Sequence, residues 1–463
     1  MVMLNVVIMA AGKGTRMRSA RPKVLHTLAG RHLLQHVLDA ATGLGASRTI
    51  VVTGSGAAEV ERATAQPGLA FVRQEPQLGT GHALQQAAPL LDAAGTTLIL
   101  NGDVPLIEAE TLRALVAASG GERLALLTIA LADPKGYGRV VRRDVAGSDA
   151  TIEAIVEDKD ATAAQLDIAE VYTGVMAAPT AALKRWLAAL RNDNAAREYY
   201  LTDVVGLAVA AGTPVVGVAA SNETEVLGVN SASQLADLER RFQRRAATRL
   251  MSEGVRLADP ERFDLRGDLR CGSDVEIDVG CIFEGAVELG DEVRIGAHCV
   301  VRNARIAAGA VIQPYTHIDG GTRGASVGTN ATVGPFARLR AGAELGADVH
   351  IGNFVEVKNS TLGRGAKANH LAYLGDADVG ERVNFGAGSI TANYDGANKF
   401  RTTIGADVHI GSNVVLVAPV NIGEGATIGG GSTISNDAPA GQLTVARARQ
   451  TSLAGWKRPT KKR

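Results

Sequence analysis

Cysteines and aromatic residues are scarce in this sequence, and neither charge is in excess. Its 463 residues include three cysteines, Cys271, Cys281 and Cys299, which have neither Cys-x-x-Cys spacing nor the even number of a disulfide framework. Free thiols in a reducing compartment are the simplest interpretation, so we expect a cytoplasmic protein. Basic and acidic residues both number 48, so no global field attracts nucleic acid or an anionic membrane, and phosphate groups would have to be bound by local clusters.

Long uncharged apolar runs are also missing. No run approaches the roughly 18 residues of a membrane span, and one of the longest, 124–132, suits a buried strand. The apolar start of the chain lacks the basic beginning of a signal peptide and leads directly into a glycine-rich loop, which favours a first strand. Aromatics make up only 4% of the chain whereas glycine reaches 54 residues, a bias towards tightly turned backbone. The length predicts two or three domains, because single cores stop growing at about 250 to 300 residues.

Near the start lies a cationic glycine loop at 9–23, with the sequence Met-Ala-Ala-Gly-Lys-Gly-Thr-Arg-Met-Arg-Ser-Ala-Arg-Pro-Lys. It follows an apolar run, 4–8, that predicts a buried strand. Gly12 and Gly14 let the backbone turn sharply and let its amides approach a ligand closely. Five cations lie within the loop: Lys13, Arg16, Arg18, Arg21 and Lys23. This combination predicts a polyphosphate site rather than a turn with solvated cations.

Two other phosphate-binding motifs fit the loop less well. The dinucleotide fingerprint needs a third glycine where this chain has Met17. The Walker pattern, in which glycine and four residues precede Gly-Lys-Ser/Thr, is absent from the sequence. Neither motif therefore explains the loop.

The first 220 residues or so alternate predicted strands with predicted helices. Strands are predicted at 49–53, 69–73 and 97–100, and helices at 33–42 and 80–90. The alternation predicts an α/β unit with a Rossmann-like, mostly parallel sheet that is covered by helices on both faces. Ligands of such sheets lie beyond the carboxyl ends of the strands, where both the glycine loop and Asn101-Gly102-Asp103 fall. Asp103 is expected to hold Mg²⁺, with a simple Asn-Gly-Asp turn as the alternative.

These motifs resemble the signature of the sugar-1-phosphate nucleotidylyltransferases, Leu-x-x-Gly-x-Gly-Thr-x-Met-x4-Pro-Lys, with Met9 in the place of the first leucine. The resemblance implies that Arg16 and Lys23 neutralise charge during catalysis. It also implies that a glutamine and a Gly-Thr pair recognise uracil, although a helix N-cap remains the alternative for that turn. The residues implied to bind UTP or the UDP-sugar are Met9, Ala10, Ala11, Gly12, Lys23, Gln74, Gly79, Thr80, Asn101, Gly102, Asp103, Gly138, Glu157, Tyr172 and Asn230.

Later segments extend the resemblance, and one departs from it. Gly138 and Glu157 correspond to residues that contact an N-acetylhexosamine. Where family members usually have Asn-Thr-Gly, this chain has Tyr172-Thr173-Gly174, so a tyrosine replaces a sugar-contacting carboxamide. The segment 198–203 also matches the family. Asn230, in Gly-Val-Asn, is implied to bind Mg²⁺ beside Asp103.

A helix is predicted to follow Asn230 and to connect two halves of the chain. Ser231 and Gln234 form a capping-box pattern at its start. One apolar stripe then recurs at helical spacing, at Leu235, Leu238, Phe242, Ala246 and Leu250. The predicted domains are 1–230, a linker helix at 231–252, and 253–463.

Aliphatic residues recur every six positions in the second half. The period is clearest at Ile404, Ile410, Leu416, Ile422, Ile428 and Ile434, and glycine often follows the aliphatic residue. A hexapeptide period predicts a parallel β-helix whose aliphatic residues point into the stack. The segment 392–403 interrupts the period and is predicted to be an external loop. The repeat by itself fits a scaffold without chemistry equally well.

Taken over its whole length, the chain resembles the bifunctional family that combines glucosamine-1-phosphate N-acetyltransferase with N-acetylglucosamine-1-phosphate uridylyltransferase. The resemblance implies a left-handed β-helix, homotrimers, Mg²⁺, and acetyl-CoA and UTP as cosubstrates. It implies that His370 is the catalytic base, which an imidazole pKa of about 6.5 suits, although an ordinary surface histidine is the alternative. The residues implied to bind glucosamine-1-phosphate are Arg340, Lys358, Tyr373, Asn384 and Lys399. Those implied to bind acetyl-CoA are Asn393, Tyr394, Ser412, Gly430 and Arg447, and the first two are also implied to bind glucosamine-1-phosphate.

This resemblance implies two reactions in sequence. The second domain would acetylate glucosamine-1-phosphate, and the first would transfer uridylyl from UTP to the product with release of pyrophosphate. UDP-N-acetylglucosamine, a precursor of bacterial peptidoglycan and lipopolysaccharide, would result. A single-activity nucleotidylyltransferase with an oligomerising β-helix is the first alternative. A non-catalytic sugar-nucleotide-binding scaffold is the second, and the cationic loop argues against it.

Overall fold

The chain divides into two compact units. A computed structural model describes residues 3–143, 151–194 and 196–461, and the two units are Met1–Phe242 and Gln243–Arg463. The division falls inside the segment 231–252 for which a linker helix is predicted. The predicted final domain reaches 463, and its last two residues lie outside the described residues.

The first unit contains a large sheet and helices. Its strands are β1 (Leu4–Ala10), β2 (Thr27–Leu28), β3 (Arg31–His32), β4 (Arg48–Thr53), β5 (Leu69–Arg73), β6 (Thr96–Asn101), β7 (Leu124–Ala130), β8 (Gly138–Arg143), β9 (Thr151–Val156), β10 (Glu170–Pro179) and β11 (Val215–Ala219). Its helices are α1 (Leu33–Thr42), α2 (Ala57–Thr64), α3 (Thr80–Ala87), α4 (Ala109–Ser119), α5 (Ala163–Leu166), α6 (Thr180–Ala189) and α7 (Asp203–Ala210). Helix α8 (Ala232–Ser252) follows and contains the division between the units.

The main path of this sheet has the order β11-β7-β10-β6-β1-β4-β5. Strand β1 is parallel to β4 and to β6, β4 is parallel to β5, and β11 is parallel to β7. Strand β10 is antiparallel to both of its neighbours on the path, and it also pairs with the β8–β9 hairpin. The predicted mostly parallel α/β sheet is confirmed, with two reversed strands, β9 and β10, that make the sheet mixed.

Helices cover both faces of the sheet, as predicted. Val7 packs in a core that includes residues of α3 and α6, whereas its neighbours Val6 and Ile8 pack in another that includes residues of α1 and α4. Successive residues of a strand point to opposite faces, so a strand that is buried on both needs a continuous apolar run. This requirement accounts for the sequence of β1.

Local patterns predicted most boundaries well. Strand β5 and helix α1 have the predicted bounds, and the helix predicted at 80–90 begins at Thr80. That helix ends at Ala87 and continues as a 3₁₀ turn, Ala88–Leu90, rather than as one α-helix. Pro89 lacks the N–H that would continue the α-helical hydrogen bonds.

The second unit is the predicted parallel β-helix. One of its sheets has eleven short strands: Arg256–Leu257, Glu276–Ile277, Arg294–Ile295, Val311–Ile312, Thr332–Val333, His350–Asn353, Lys367–His370, Asn384–Phe385, His409–Ile410, Thr427–Ile428 and Leu443–Thr444. Neighbouring strands in it are parallel. The predicted left-handed β-helix of hexapeptide repeats is confirmed.

The other sheet of this unit has sixteen strands, which lie on two faces of the coils. Long strands at its start bend across both faces: Phe263–Cys271, Cys281–Leu289 and Val300–Ile306. One face continues with Ala325–Val327, Ala343–Leu345, Ser360–Leu362, Ala377–Val379, Thr402–Ile404 and Val420–Ile422. The other continues with His317–Asp319, Arg338–Arg340, Glu356–Lys358, Tyr373–Gly375, Ile390–Ala392, Val415–Val417 and Thr433–Ile434.

The six hexad residues from Ile404 to Ile434 are all at most 3% exposed. They share one core with the equivalent residues of the preceding coils, so the period reports side chains that stack inside the coil. The predicted external loop leaves this core between the strands that end at Ala392 and begin at Thr402. Its residues Tyr394 and Lys399 pair as an antiparallel bridge.

Candidate functional site

In the first unit, a cavity of about 480 Å³ lies beyond the carboxyl ends of β1 and β6. Ten of the predicted nucleotide-binding residues line it: Met9, Ala10, Ala11, Gly12, Lys23, Gln74, Gly79, Thr80, Asn101 and Asp103. The structure therefore brings together the glycine loop, the base-recognition turn and the Asn-Gly-Asp turn. Gly102, between two of these residues, is buried and donates its N–H to the Met9 carbonyl at 2.9 Å.

Lys23 lies between the two predicted metal ligands. Its ammonium forms an ion pair with Asp103 Oδ2 and donates to Asn230 Oδ1 at 3.1 Å. Both the lysine and the aspartate side chains are largely buried, at 13% and 20% exposure. One cation thus contacts both oxygens, although Asp103 and Asn230 are far apart in the sequence.

Backbone pairing and packing hold this group in place. The N–H of Val229 donates to the Asp103 carbonyl at 2.9 Å, which brings the neighbouring Asn230 to the same edge. Gln234 accepts from the N–H of Asn230 at 2.8 Å, while Ser231 caps the helix by accepting from Gln234 N–H at 3.2 Å. The predicted cap is therefore present, and its glutamine also fixes the residue that precedes the capping serine.

Gly14 is required by the same geometry. Its φ is +59°, and a Cβ there would lie 2.7 Å from the Cβ of Lys23. Such a contact is far shorter than van der Waals separation, and the left-handed backbone disfavours side chains. The second glycine of the motif therefore lets Lys23 pack against the loop and reach Asp103.

The oxygens at this edge suit Mg²⁺. The ion prefers oxygen ligands and usually keeps several waters while it binds one or two protein oxygens together with substrate phosphates. Asp103 supplies a carboxylate and Asn230 an amide oxygen, and both already face one cation. Within residues 3–143, 151–194 and 196–461, no group of three or more His, Cys, Asp or Glu side chains forms a denser site. The donor set therefore fits an ion held jointly by protein and phosphate.

The predicted base-recognition turn is tied to the segment 198–203. Gln74 is 5% exposed and donates to the Gly79 carbonyl at 2.8 Å. Thr80 Oγ1 accepts from the N–H of Leu201 at 3.1 Å. Gly79 has φ +101°, and a Cβ there would lie 2.7 Å from the Tyr199 carbonyl. The segment that matched the family without an assigned role thus supports this turn.

Gly138, Glu157 and Tyr172 come together at β8–β10. Tyr172 is paired in register with Gly138, and a Cβ on Gly138 would lie 3.9 Å from Glu157 Oε2. Burial, opposed only in part by a hydrogen bond from Thr202 at 2.9 Å, raises the pKa of Glu157. The phenol of Tyr172 is buried with no hydrogen-bond partner among the described residues, and burial together with Glu157 raises its pKa.

Only part of the cationic loop faces the cavity. Lys13 and Lys23 line it. Arg16, Arg18 and Arg21 are exposed and are not among the residues that line it. The catalytic role predicted for Arg16 stays a prediction.

Several contacts in the cavity were not predicted from the sequence. Gln77 donates to the Ala11 carbonyl at 2.7 Å and so ties the glycine loop to the base-recognition turn. Glu198 also lines the cavity. Asn101 keeps its position because Gly174, at φ +90°, carries no side chain: a Cβ there would lie 2.1 Å from Asn101 Nδ2. Two of these residues belong to segments that matched the family: Glu198 begins the segment 198–203, and Gly174 ends Tyr172-Thr173-Gly174.

In the second unit, three predicted phosphate ligands converge at one corner. Strands Arg338–Arg340, Glu356–Lys358 and Tyr373–Gly375 are neighbours, so Arg340 and Lys358 lie in successive coils. Lys399 reaches the same place from the external loop, where the neighbouring Lys358 lowers its pKa. These three side chains form a cation cluster that is suited to bind an anion. Within it, Glu356 accepts from Arg340 at 2.8 Å.

His370 ends the strand Lys367–His370 and is exposed. Its Nδ1 lies 2.8 Å from Asn353 Oδ1, in the adjacent strand. If the amide oxygen accepts, Nδ1 carries the proton and Nε2 keeps a lone pair, an assignment that rests on the hydrogen-bond network. Asn353 was not predicted, because its pairing with His370 depends on how the coils stack.

Tyr373 begins the next strand, beyond the corner at Leu371. A Cβ on Gly375 would lie 2.3 Å from the tyrosine oxygen, so this glycine makes room for the ring. His370 and Tyr373 therefore flank one corner of the coil.

The predicted acetyl-CoA residues form a separate group. Arg447 donates to the Gly430 carbonyl at 2.6 Å, and a Cβ on Gly430 would lie 3.2 Å from the Ser412 carbonyl. Asn384 lies on the eleven-stranded sheet, with its Nδ2 at 3.5 Å from His409 Nε2. Within the described part of the chain, these four predicted residues have no hydrogen bond to the cation cluster. Asn393, by contrast, begins the external loop, is 8% exposed and donates a hydrogen bond to Asp376. The next residue of the loop, Tyr394, is 60% exposed.

Comparison with known proteins gives a consistent result. A family model described as a MobA-like NTP transferase domain matches residues 6–201, and one described as bacterial transferase hexapeptide (six repeats) matches 401–436. A protein of Methylibium petroleiphilum named Bifunctional protein GlmU is 74% identical over 465 residues, which cover 100% of both chains. Proteins of the same name from Acidovorax sp. and Aromatoleum aromaticum are 64% and 58% identical, with 100% and 99% of this chain and 99% of each relative covered.

The chain belongs to the family of bifunctional GlmU proteins. Membership of the GlmU family confirms the predicted bifunctional enzyme of UDP-N-acetylglucosamine synthesis, a nucleotidyltransferase joined to a hexapeptide-repeat acyltransferase. It favours this function over the single-activity alternative.

Other comparisons add little to the GlmU assignment. Among solved structures, a nucleotidyl transferase from Methanothermobacter thermautotroptrophicus is 22% identical and covers 52% of this chain and 99% of its own, at a TM-score of 0.38, too distant to support an argument. In the described residues, no helix is both long and apolar enough to cross a membrane.

Proposed function

We propose that the cavity of the first unit is the uridylyl-transfer site. UTP lies along the glycine loop, its uracil at Gln74, Gly79 and Thr80. The phosphate of N-acetylglucosamine-1-phosphate attacks the α-phosphorus in line: one P–O bond forms and the bond to pyrophosphate breaks. The phosphate oxygen is already ionised, so no side-chain base is needed. Lys23 neutralises charge on the phosphates, and positioning with charge stabilisation supplies the catalysis.

Asp103 and Asn230 are the residues that would hold Mg²⁺. The ion, when bound, neutralises charge on the phosphate oxygens and helps to align them. The support for this assignment is that both oxygens face the Lys23 ammonium. Arg16 is assigned to the leaving pyrophosphate, for which its place in the loop and its charge are the support.

Gly138, Glu157 and Tyr172 form the sugar end of the same site. The glycine leaves space beside Glu157, whose carboxylate accepts from the sugar hydroxyls. Tyr172 replaces the carboxamide usual in related enzymes and presents a phenol instead. The buried phenol without a partner among the described residues supports this role, since a bound sugar would satisfy it.

We assign the corner around His370 to acetyl transfer. Arg340, Lys358 and Lys399 bind the phosphate of glucosamine-1-phosphate, and Tyr373 borders the sugar. The amine attacks the thioester carbonyl of acetyl-CoA, and His370 Nε2 takes the proton that the nitrogen loses. The tetrahedral intermediate then expels the coenzyme A thiolate, which receives that proton. Asn353 holds the imidazole in the tautomer that this step needs.

The acetyl-CoA residues support a site shared between copies of the chain. Ser412, Gly430 and Arg447 form their own group, apart from the cation cluster. In a homotrimer, these residues of one copy would meet His370 of another. The hexapeptide-repeat fold supports a trimer.

We also propose a cytoplasmic location. The three cysteines are free thiols, and burial raises the pKa of Cys281 to about 11 and of Cys299 to about 12, which keeps these thiols protonated and unreactive. UTP and acetyl-CoA are metabolites of that compartment.

The Lys23 contact to both Asp103 and Asn230 is the observation that carries the proposal most strongly. Its test is to incubate the purified chain with glucosamine-1-phosphate, acetyl-CoA, UTP and Mg²⁺ and to identify the products by mass. We expect N-acetylglucosamine-1-phosphate, UDP-N-acetylglucosamine, pyrophosphate and free coenzyme A.

Two single variants separate the sites. Lys23→Ala should abolish uridylyl transfer and leave acetyl transfer intact, whereas His370→Ala should do the reverse. If Lys23→Ala forms UDP-N-acetylglucosamine at the parental rate, the proposed nucleotide site is wrong. If His370→Ala acetylates as fast as the parent, the second site is wrong.

A further inference from the structure

The carboxylate of Asp376 lies beneath the cation cluster of the second unit, and no role is assigned to it above. It is 6% exposed, at the left-handed corner that follows the strand Tyr373–Gly375. Its Oδ2 accepts from Lys358 Nζ at 3.2 Å and from Asn393 Nδ2, and its Oδ1 accepts from Asn359 Nδ2. A single buried carboxylate therefore accepts three side-chain hydrogen bonds.

The backbone of the same residue completes the attachment. Asp376 N–H donates to the Lys358 carbonyl at 3.0 Å, and the Asp376 carbonyl accepts from the N–H of Thr402 at 3.1 Å. Asn393 begins the external loop and Thr402 follows it. Asp376 thus holds both ends of the loop that carries Lys399.

The loop is also closed on itself. Phe400 N–H donates to the Asn393 carbonyl at 2.9 Å. Asp395 Oδ1 accepts from the N–H groups of Ala397 and Asn398 at 2.8 and 2.6 Å. The loop therefore behaves as one body, and its position depends on where its ends are held.

A carboxylate can only accept hydrogen bonds, which settles how two amides are oriented. The Nδ2 groups of Asn359 and Asn393 must point towards Asp376, so the Asn393 amide oxygen points away from it. A neutral amide at position 376 would lose this selectivity, because it also presents donors. Ionised Asp376 therefore sets the direction of Asn393.

We propose that Asp376 is a positioning residue of acetyl transfer: it clamps the external loop and Lys358 so that Lys358 and Lys399 present two ammonium groups to the substrate phosphate. This inference rests on the acetyl-transfer site proposed above. Two ammonium groups repel each other, and the nearby carboxylate, which is hydrogen-bonded to Lys358, offsets that repulsion before the phosphate arrives. The site is thereby preorganised, so less ordering is needed when the substrate binds.

Charge gives the inference a readout that a merely structural role would not move. Lys399 faces Lys358, which lowers its pKa, whereas Asp376 raises it and Arg340 lowers it. Burial lowers the pKa of Lys358, whereas its hydrogen bond to Asp376 raises it. Glu356, which accepts from Arg340, and also Tyr373 and Arg401 are titratable groups that face this set. Removal of the Asp376 charge should therefore let Lys399 lose its proton at lower pH.

The test is Asp376→Asn in the full chain, with acetyl transfer and uridylyl transfer assayed separately. We expect the KM for glucosamine-1-phosphate to rise at least about tenfold, since removing one charged hydrogen-bond partner has effects of this size. As the pH is raised, the KM of the variant should begin to increase at a lower pH than the KM of the parent. The rate of uridylyl transfer should stay within about twofold of the parental rate.

Asp348→Asn is the matched control. Asp348 also occupies a left-handed corner, at φ +59°. It accepts from Arg364 at 3.0 Å, which is not one of the residues proposed to bind glucosamine-1-phosphate. Both variants keep a residue type that tolerates this backbone. If Asp376→Asn raises the KM no more than Asp348→Asn does, the inference is wrong.

A second variant covers the case in which Asp376→Asn fails to fold. Asn359 has φ +48°, which glycine tolerates, so Asn359→Gly removes only the donor to Asp376 Oδ1. For Asn359→Gly we expect a KM for glucosamine-1-phosphate that is two- to fivefold higher than in the Asp348→Asn control. We also expect faster amide hydrogen exchange at 393–402 than in that control. Parental values of both would overturn the inference. Failure of the proposed acetyl-transfer site shows differently, as unchanged acetyl transfer in His370→Ala.

Discussion

At the scale of single residues, both sites depend on contacts between side chains that are distant in sequence. Lys23 meets Asp103 and Asn230, and His370 meets Asn353. In each case one polar group decides the state of another: an ammonium neutralises a carboxylate, and an amide oxygen selects an imidazole tautomer. The sign of each effect can be tested with single substitutions.

The first test removes the hydrogen-bond partner of His370, the proposed catalytic base. Asn353→Ala should lower kcat of acetyl transfer about 10- to 100-fold, because general-base catalysis needs the correct tautomer and orientation. Steady-state rates of both reactions measure it, with uridylyl transfer as the internal reference. Asn353→Asp keeps an acceptor and adds a negative charge, so the acid limb of its pH–rate profile should move to higher pH. A parental kcat in Asn353→Ala would show that the contact has no catalytic role.

A second test concerns the space beside Lys23. Gly14→Ala should lower uridylyl transfer at least about tenfold, because its Cβ displaces Lys23 and small misplacements are costly in positioned reactions. Gly45→Ala is the control: Gly45 has a similar φ of +66° but nothing within 4 Å of its Cβ position. Gly45→Ala therefore has the same cost of a side chain on a left-handed backbone, but its Cβ clashes with no neighbouring atom. Equal losses in the two variants would mean that backbone strain alone is responsible.

A third test uses the buried carboxyl at the sugar end. Burial raises the pKa of Glu157 in the folded state. The buried Glu157 side chain therefore makes its full contribution to stability below pH 4.5, the ordinary pKa of glutamate. That contribution is lost as the pH rises through the raised pKa, because the buried carboxyl then has to ionise. Glu157→Gln should increase the thermal midpoint of the first unit at neutral pH and leave it unchanged near pH 4.

Glu170→Gln provides the opposite sign in the same sheet. Hydrogen bonding to Arg142 lowers the pKa of Glu170 despite its partial burial. Its stabilisation is present above the ordinary value and lost as the pH falls, so Glu170→Gln should lower the midpoint at neutral pH. A Glu157→Gln variant that behaves like Glu170→Gln would contradict the assignment.

At the scale of secondary-structure elements, the hexads and the strand alternation specify which side chains are buried. In the strand Ala343–Leu345, Leu345 is 4% exposed while Glu344 faces solvent. Each coil contacts only its neighbours, so the loss of one inward side chain should be felt mainly in adjacent coils.

Leu345→Ala tests this local character. It should reduce the free energy of unfolding of the second unit by about 2 to 5 kcal/mol, as buried leucine truncations do. Denaturant titration followed by amide hydrogen exchange locates the loss, which should centre on the coils next to 343–345. Glu344→Ala should change stability by less than about 0.5 kcal/mol. A uniform loss of protection across the unit would argue against coil-by-coil stability.

At the scale of the whole molecule, each unit has its own core and its own proposed site. The acetyl-transfer residues are divided between groups that do not bond to one another within the described residues of one chain. A ring of copies with heterologous contacts would bring such groups together, which is the reason to propose a trimer.

Complementation between inactive chains tests the shared site. His370→Ala and Arg447→Ala chains, each deficient in acetyl transfer, should together regain about a quarter of parental activity when co-expressed, because random mixing in a cyclic oligomer pairs the two intact residues that often. Each variant expressed alone is the control, and light scattering measures the oligomeric state. Absence of any recovery would place both residues in a site within one chain.

Much of the fold could be predicted from local patterns, and part of each site from motifs that resemble a known family. Helix α1 and strand β5 have the predicted bounds, and ten predicted residues line the nucleotide cavity. The 3₁₀ turn after Ala87 shows where a local rule was overlooked, since Pro89 is visible in the sequence. Arg16 shows the reverse case, in which a motif residue is exposed and does not line the cavity.

The sequence alone determined the two folds and the class of chemistry, because a repeated aliphatic period and a cationic glycine loop report burial and charge over a few adjacent residues. The tertiary structure alone decided which polar groups meet. Lys23 contacts both Asp103 and Asn230, Asn353 reaches His370 through the stacking of coils, and Asp376 joins Lys358 to both ends of the external loop. These contacts depend on how separate strands are placed side by side, and no local pattern in the chain records that placement.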